Sequence, residues 1–182
     1  GAIDEGYYTI PTDEQVPVVF NNIQNPRWSY SIPKALGENL VANCGLDYLI
    51  IRYFNVYGPG QMDHFINEFV ERCKQGEYYI NGDDTRSFCY VDDAVRMTDA
   101  LVRNHSNKTV NVGNQEEVKI SVVAKLIMGI MDINPDKLEV RPSPVGSVTR
   151  RCPDTTLVRD LTGFTDYTPL IVGLRKTVES LL

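Results

Sequence analysis

The sequence predicts a mixed α/β fold, and three observations carry that prediction. Segments with helical periodicity alternate with short β-branched and aromatic runs along the 182 residues. One of those runs, residues 46–54 (LDYLIIRYF), is apolar almost throughout, the pattern of a strand covered on both faces in a parallel sheet. It breaks at Asn55-Val56-Tyr57-Gly58-Pro59-Gly60, a loop at the strand's carboxyl end, where open α/β sheets bind ligands.

Taken in order, residues 1–27 are rich in Pro, Asn, Asp and Tyr and have no period, which predicts a long loop. A helix follows over about 29–44, with Ala35, Leu36, Leu40 and Val41 as its apolar stripe. Pro33 should fall near the first turn, where a missing N–H is tolerated. Gly45 suits the left-handed position that ends such a helix. After the 46–54 strand, a helix over 63–75 places Phe65, Ile66, Phe69 and Val70 inward. Short β segments at 78–80 and 87–91 precede a helix over 92–103 and a strand at 109–112. A helix over 121–131, capped by Ser121, leads to a short strand at 137–141 and closing helices at 155–161 and 170–181. Strands are sparse for a complete doubly wound sheet.

Composition excludes several classes. A net charge of −6 argues against a nucleic-acid groove or an anionic membrane partner. No apolar run approaches the roughly 20 residues that span a bilayer. Residues 1–6 lack the basic and apolar regions of a secretory signal. Cys44, Cys73, Cys89 and Cys152 are scattered, with no Cys-x-x-Cys and no histidine cluster. They read as reduced, mostly packed thiols of a cytosolic protein in preference to disulfides or metal ligands.

The chemistry-bearing stretch is Trp28 to Glu38 (WSYSIPKALGE). Tyr30 and Lys34 are four residues apart, so on a helix they share one face. An ammonium beside a phenol favours the phenolate and draws its pKa down from about 10. Such a pair suits acid/base work on an alcohol–ketone interconversion. The spacing is common on helices, so on its own it carries little weight.

Further segments give it context. The Tyr30-Ser31-Ile32-Pro33-Lys34 run, with its trailing Gly37-Glu38, resembles the Tyr-x-x-x-Lys helix of the extended short-chain dehydrogenase/reductase family. Within that family the likeness is to the NAD-dependent nucleotide-sugar epimerases, dehydratases and decarboxylases. Arg52-Tyr53-Phe54-Asn55-Val56-Tyr57-Gly58-Pro59 is similar to its strand-end Arg-x-x-Asn-x-Tyr-Gly-Pro motif. Thr85-Arg86-Ser87-Phe88-Cys89-Tyr90-Val91-Asp92-Asp93 resembles its Arg-x-Phe-x-Tyr-Val-x-Asp run. Val110-Asn111-Val112-Gly113 and Arg150-Arg151-Cys152-Pro153-Asp154 follow in the family's order.

The resemblance implies roles. Tyr30 is the catalytic acid/base at a sugar hydroxyl, and Lys34 supports it and binds the nicotinamide ribose. Tyr53 and Phe54 line the nicotinamide end; plain core is the alternative for both. Asn55 faces the substrate diphosphate, or else only holds the strand-end turn. Arg86 binds a phosphate or ribose of the nucleotide through its planar donor fork, or pairs with Asp83 or Asp84. Arg151 clamps the diphosphate, with Asp154 on the ribose hydroxyls or holding that arginine in place, unless the two form an ordinary exposed ion pair. His64 and Phe65 begin a substrate-contacting helix, with a solvated or packed His64 as the alternative.

The implied fold is the C-terminal part of a Rossmann-like doubly wound sheet plus a small α/β substrate-binding domain. Residues 1–60 would belong to the first and 61–182 mainly to the second, with 87–93 and 92–103 packing back on the sheet. The family's Gly-x-x-Gly-x-x-Gly turn and its catalytic Ser/Thr have no counterpart in these residues. The expectation is therefore a C-terminal half that binds no NAD alone and is inactive by itself, or a non-catalytic nucleotide-sugar-binding module. The expected ligand is a nucleotide-diphosphate sugar, uridine before thymidine. A homodimer, or a second chain supplying an N-terminal half, is the expected protein partner.

Overall fold

The computed structural model describes residues 9–20, 23–26, 28–144 and 147–182. Helix α1 (Trp28–Ala42) leads into strand β1 (Leu49–Tyr53), β2 (Val56–Tyr57) and helix α2 (Phe65–Lys74). Strands β3 (Tyr79–Asn81), β4 (Thr85–Ser87) and β5 (Cys89–Tyr90) come before helix α3 (Val91–Asn104) and strand β6 (Lys108–Val112). Strand β7 (Glu117–Lys119), helix α4 (Ile120–Ile130), β8 (Glu139–Arg141), β9 (Arg150–Arg151), α5 (Thr156–Thr162) and α6 (Leu170–Glu179) complete the order.

Among the described residues the strands form small groups. Strand β1 pairs in parallel with β6, with Ile51 opposite Val110 and Tyr53 opposite Val112. β2 runs parallel to β5, and β3 to β8. β4 sits between antiparallel β7 and parallel β9.

Two apolar clusters hold these pieces. In the first, α2 buries Ile66, Phe69, Val70 and Cys73, spaced i, i+3, i+4, i+7, against Val123, Ala124, Ile127 and Met128 of α4 and Leu174 and Val178 of α6. In the second, Ala94, Met97 and Leu101 of α3 cover one face of the β1–β6 pair, meeting Val110, Val112, Val158 and Phe164.

Several expectations are corrected. Most of the apolar stripe of α1 points outward: Leu36, Leu40 and Val41 are 56%, 61% and 42% exposed, Ala35 is half-buried, and only Trp28 and Ser31 are buried. Tyr30, Ser31, Lys34, Ala35 and Glu38 instead line a cavity between α1 and β1. Pro33 lies in the second turn of α1, not the first, because the helix begins at Trp28; a proline there leaves the carbonyl four residues back without its helical donor. Strand β1 is shorter than 46–54 and half-buried over Leu49–Arg52, with Tyr53 exposed, so it is not covered on both faces. Helix α4 starts one residue earlier than expected, and its cap comes from a distant turn: the Asp83 carboxylate accepts from the Ser121 N–H at 2.9 Å.

The segment expected as a loop before residue 28 does lack helix over 9–20, yet it is tied down. Thr12 makes a parallel bridge with Pro153, its N–H donating to the Cys152 carbonyl at 2.9 Å while its own carbonyl accepts from Asp154 at 2.8 Å. The buried Asn111 of β6 donates its side-chain amide to the Thr12 carbonyl at 3.0 Å, and its backbone N–H to the Glu14 carboxylate at 2.7 Å.

Candidate active site

A cavity of about 390 Å³ opens where α1, the carboxyl end of β1, β9 and residues 12–18 meet. It gathers six of the ten residues expected from the sequence: Tyr30, Lys34, Tyr53, Phe54, Asn55 and Arg151. Tyr30 is 70% exposed, so its phenol is open to a ligand. One helical turn on, Lys34 Nζ lies 5.5 Å from the centre of the Tyr30 ring. The i, i+4 spacing delivers the two groups together, as it must on a regular helix.

The strand end supplies the opposite wall. Tyr53 Oη is 2.9 Å from Thr98 Oγ1, a hydrogen bond that fixes the ring at the rim. Phe54 donates its N–H to the Val112 carbonyl at 3.0 Å and so continues the β1–β6 ladder one residue further. Gly113 lets the chain pass close behind it; a Cβ there would sit 3.0 Å from Phe54 Cβ and 3.1 Å from Pro153 Cγ. Asn55 adopts a left-handed backbone (φ 39°), a conformation asparagine tolerates better than most residues. Its side-chain amide donates to the Ser87 carbonyl at 2.8 Å, so it holds the turn as well as lining the cavity.

The other four expected residues do not line this cavity. Arg86 lies behind it, donating to the carbonyls of Thr85 and Val148, both at 2.7 Å, and standing 3.7 Å from Asp84. It thereby braces the strand that carries Arg150 and Arg151, which pair with β4 beside it. Asp154 accepts from the Thr156 N–H at 2.7 Å and starts α5; that hydrogen bond holds its carboxyl below the usual range. His64 is exposed just ahead of α2, and Phe65 stacks on Phe69 at 5.8 Å.

Sequence reasoning passed over several groups here. Arg52 grips Glu38 with a two-pronged contact, Nε to Oε1 at 2.8 Å and Nη2 to Oε2 at 2.6 Å. The Glu38 hydrogen bond is the largest reason that the Arg52 guanidinium is held above its ordinary pKa. Arg150 makes the same fork to Glu117, at 2.9 and 2.6 Å, and Thr85 adds its hydroxyl to that carboxylate. Arg150 foremost pulls the Glu117 carboxyl down to about 2. The signal was present: Arg52 interrupts an apolar strand, and Asn111 sits between two buried valines.

The walls carry Lys34, Arg52, Arg150 and Arg151 against Asp13 and Glu38. Arg52 is forked to Glu38 and Arg150 to Glu117, so the local surplus of cations is small, yet in a chain of net charge −6 it suits an anionic ligand. Ala35, Ile51, Phe54 and Val148 give the same cavity apolar surface for a ring.

Comparison with known proteins bears on these features. The model of the NAD dependent epimerase/dehydratase family matches residues 5–113. A UDP-N-acetyl-alpha-D-glucosaminuronate decarboxylase from Bacillus cytotoxicus is 31% identical over an alignment that takes in 96% of this chain and 59% of that protein. A UDP-glucose 4-epimerase from Mycolicibacterium smegmatis is 32% identical, with 93% of this chain and 56% of that protein covered. Among solved structures, the UDP-glucose 4-epimerase of Thermotoga maritima with UDP-glucose superposes with a TM-score of 0.77 at 28% identity, over 99% of this chain and 59% of that one. A Bordetella bronchiseptica enzyme in complex with NAD+ shares the fold at a TM-score of 0.82 and 22% identity, over 96% of this chain and 58% of that one. The chain thus spans 56–59% of the length of these four relatives.

These matches overturn one expectation. The chain was read as only a C-terminal half lacking the family's cofactor-binding part. The family match instead begins at residue 5, and the four relatives named above align with 93% or more of the chain, so that description does not stand. The expectations of inactivity and of no NAD binding rested on it and are left without support. Among the described residues, no helix is long and apolar enough to cross a membrane.

Proposed function

The chain belongs to the NAD-dependent epimerase/dehydratase family, and on that premise we propose that it acts on the sugar of a UDP-sugar, with Tyr30 as the acid/base. The single observation that carries this reading is the pairing of an open phenol with the Lys34 ammonium at the mouth of a cation-rich cavity. Uridine is favoured over thymidine because the decarboxylase and both epimerases described above are named for UDP-sugars.

The residues present fit the nicotinamide end of NAD. Tyr53 and Phe54 offer an apolar and aromatic wall, and Lys34 offers a donor for a ribose hydroxyl. NAD supplies the hydride acceptor when bound. The chain's own part is to take a proton from a sugar hydroxyl at Tyr30 Oη, while Lys34 stabilises the negative charge that develops there. Arg151 presents its planar donors to the diphosphate, and Arg86 keeps the Arg151 strand in register from behind. Asn55 steadies the strand-end turn between these two functions.

The test is turnover of UDP-glucose and UDP-glucuronate with NAD, followed by product analysis. Tyr30→Phe is expected to cut turnover by about 10²- to 10⁴-fold with little change in UDP-sugar binding or thermal stability, since the side chain is largely exposed. A Tyr30→Phe protein with undiminished turnover would remove Tyr30 from the chemistry. Binding of UDP-sugar with no turnover in the unaltered chain would instead favour a binding module.

A further inference from the structure

Helix α1 carries the proposed acid/base pair, yet it is weakly seated by apolar contacts. Of its fifteen residues only Trp28 and Ser31 are buried, while Leu36, Leu40 and Val41 face outward. Trp28 meets Phe20 edge-on at 5.6 Å and anchors the amino end. Along the face that lines the cavity, the Glu38 fork to Arg52 is a side-chain contact that ties helix to strand. Glu38 lies one turn beyond Lys34 and two beyond Tyr30, on the same face.

Arg52 is well placed to set position. It sits on β1, directly before Tyr53, so its main chain belongs to the wall opposite α1. Its third nitrogen, Nη1, is 3.4 Å from the Glu14 carbonyl, in the segment that also closes the cavity and fixes Asn111. One guanidinium therefore links three of the four elements that meet at the cavity: α1, β1 and the segment before α1. The pair is partly shielded, with side-chain exposures of 26% and 30%, which lifts it above the usual surface ion pair.

We propose that Arg52 and Glu38 are positioning residues that set where α1 presents Tyr30 and Lys34 relative to the floor of the cavity. The pair acts through the helix and needs no contact with substrate. This rests on the functional reading above only for its effect on rate. The fork geometry matters more than the charges, because two parallel hydrogen bonds fix an angle and a single one does not. A misplacement of about 1 Å in a reacting group costs on the order of 10²-fold in rate.

The experiment compares Arg52→Met, Arg52→Lys and the exchanged pair Arg52→Glu with Glu38→Arg. Hydrogen exchange of the α1 amides is expected to rise about tenfold or more in Arg52→Met, with the β6 amides unchanged and Trp28 emission retained as evidence of an intact fold. In turnover, kcat is expected to fall by about 10- to 100-fold with KM for UDP-sugar within about twofold. Arg52→Lys should recover part of the loss and the exchanged pair more. Unchanged α1 exchange in Arg52→Met overturns the proposal whatever the activity, as does an equal loss in α1 and β6. If the unaltered chain shows no turnover, the functional reading fails while the exchange measurement still decides the clamp. Normal kcat in all variants, with an active parent, overturns the positioning role alone.

Discussion

Helices α1 and α2 have similar patterns in sequence and opposite fates in the fold. Both space apolar residues at three and four, and both were expected to bury them. Helix α2 does so, sinking Ile66, Phe69, Val70 and Cys73 between α4 and α6. Helix α1 turns Leu36, Leu40 and Val41 out and keeps Tyr30, Lys34 and Glu38 for the cavity. Periodicity reports that a helix has two faces; it does not say which face the chemistry claims. One helix is held by area removed from water, the other by a buried aromatic at one end and a charged fork along its length.

That contrast can be tested by substitution, and the largest expected effect lies in α2. Phe69→Ala removes a side chain with no exposed surface and should cost about 3–5 kcal/mol in urea unfolding. A loss below about 1 kcal/mol would mean that this cluster is not the stabilising core.

A smaller effect is expected on the far wall of the cavity. Folding holds the Glu117 carboxyl at about 2, below its ordinary value, chiefly through Arg150. A depressed carboxyl gives stability that is complete above its unfolded pKa and is lost as pH falls towards the folded one. The acid side of the stability profile should therefore fall between about pH 5 and pH 2, and Glu117→Gln should flatten it while leaving a protein less stable at neutral pH. An identical acid profile in the variant would show that Arg150 and Glu117 do not matter to folding. Because Arg150 is half exposed, its share is discounted for solvent screening.

The smallest effect belongs to the outer face of α1. Leu40→Ala, at 61% exposure, should change stability by no more than about 0.5 kcal/mol. A loss comparable with that of Phe69→Ala would show that something covers this face in solution, and sedimentation of both proteins would say whether it is a second copy of the chain.

Much of the architecture was legible because it is local. The helices over 63–75, 92–103 and 170–181, and the strand at 109–112, follow from period and from turn residues close to each element. Tyr30, Lys34, Tyr53, Phe54, Asn55 and Arg151 were legible as a set because motifs order them along the chain, and the cavity brings them together. What stayed hidden depends on partners far apart in sequence. Thr12 against Pro153, Glu14 against Asn111 and Glu38 against Arg52 leave no local period. The cap of α4 was misassigned for the same reason: Ser121 is the right residue type but lies inside the helix, and its N–H donates to the distant Asp83. Arg86 is a milder case. The sequence leaves its fork either to a phosphate or ribose or to Asp83 or Asp84, and the structure sets it 3.7 Å from Asp84 while it donates to the main chain of residues 148 and 149.

Burial also sorts the four thiols. Cys73, Cys89 and Cys152 are buried, and that pushes their thiols up to about 11, about 12 and about 11. At neutral pH such groups hold almost no thiolate and react slowly with alkylating reagents. Cys44 is exposed, two residues past the last turn of α1. A maleimide dye added at neutral pH is therefore expected to mark Cys44 alone, without mutating the other three. The helix that carries Tyr30 comes with its own attachment point, so its motion is open to fluorescence measurement in the natural sequence.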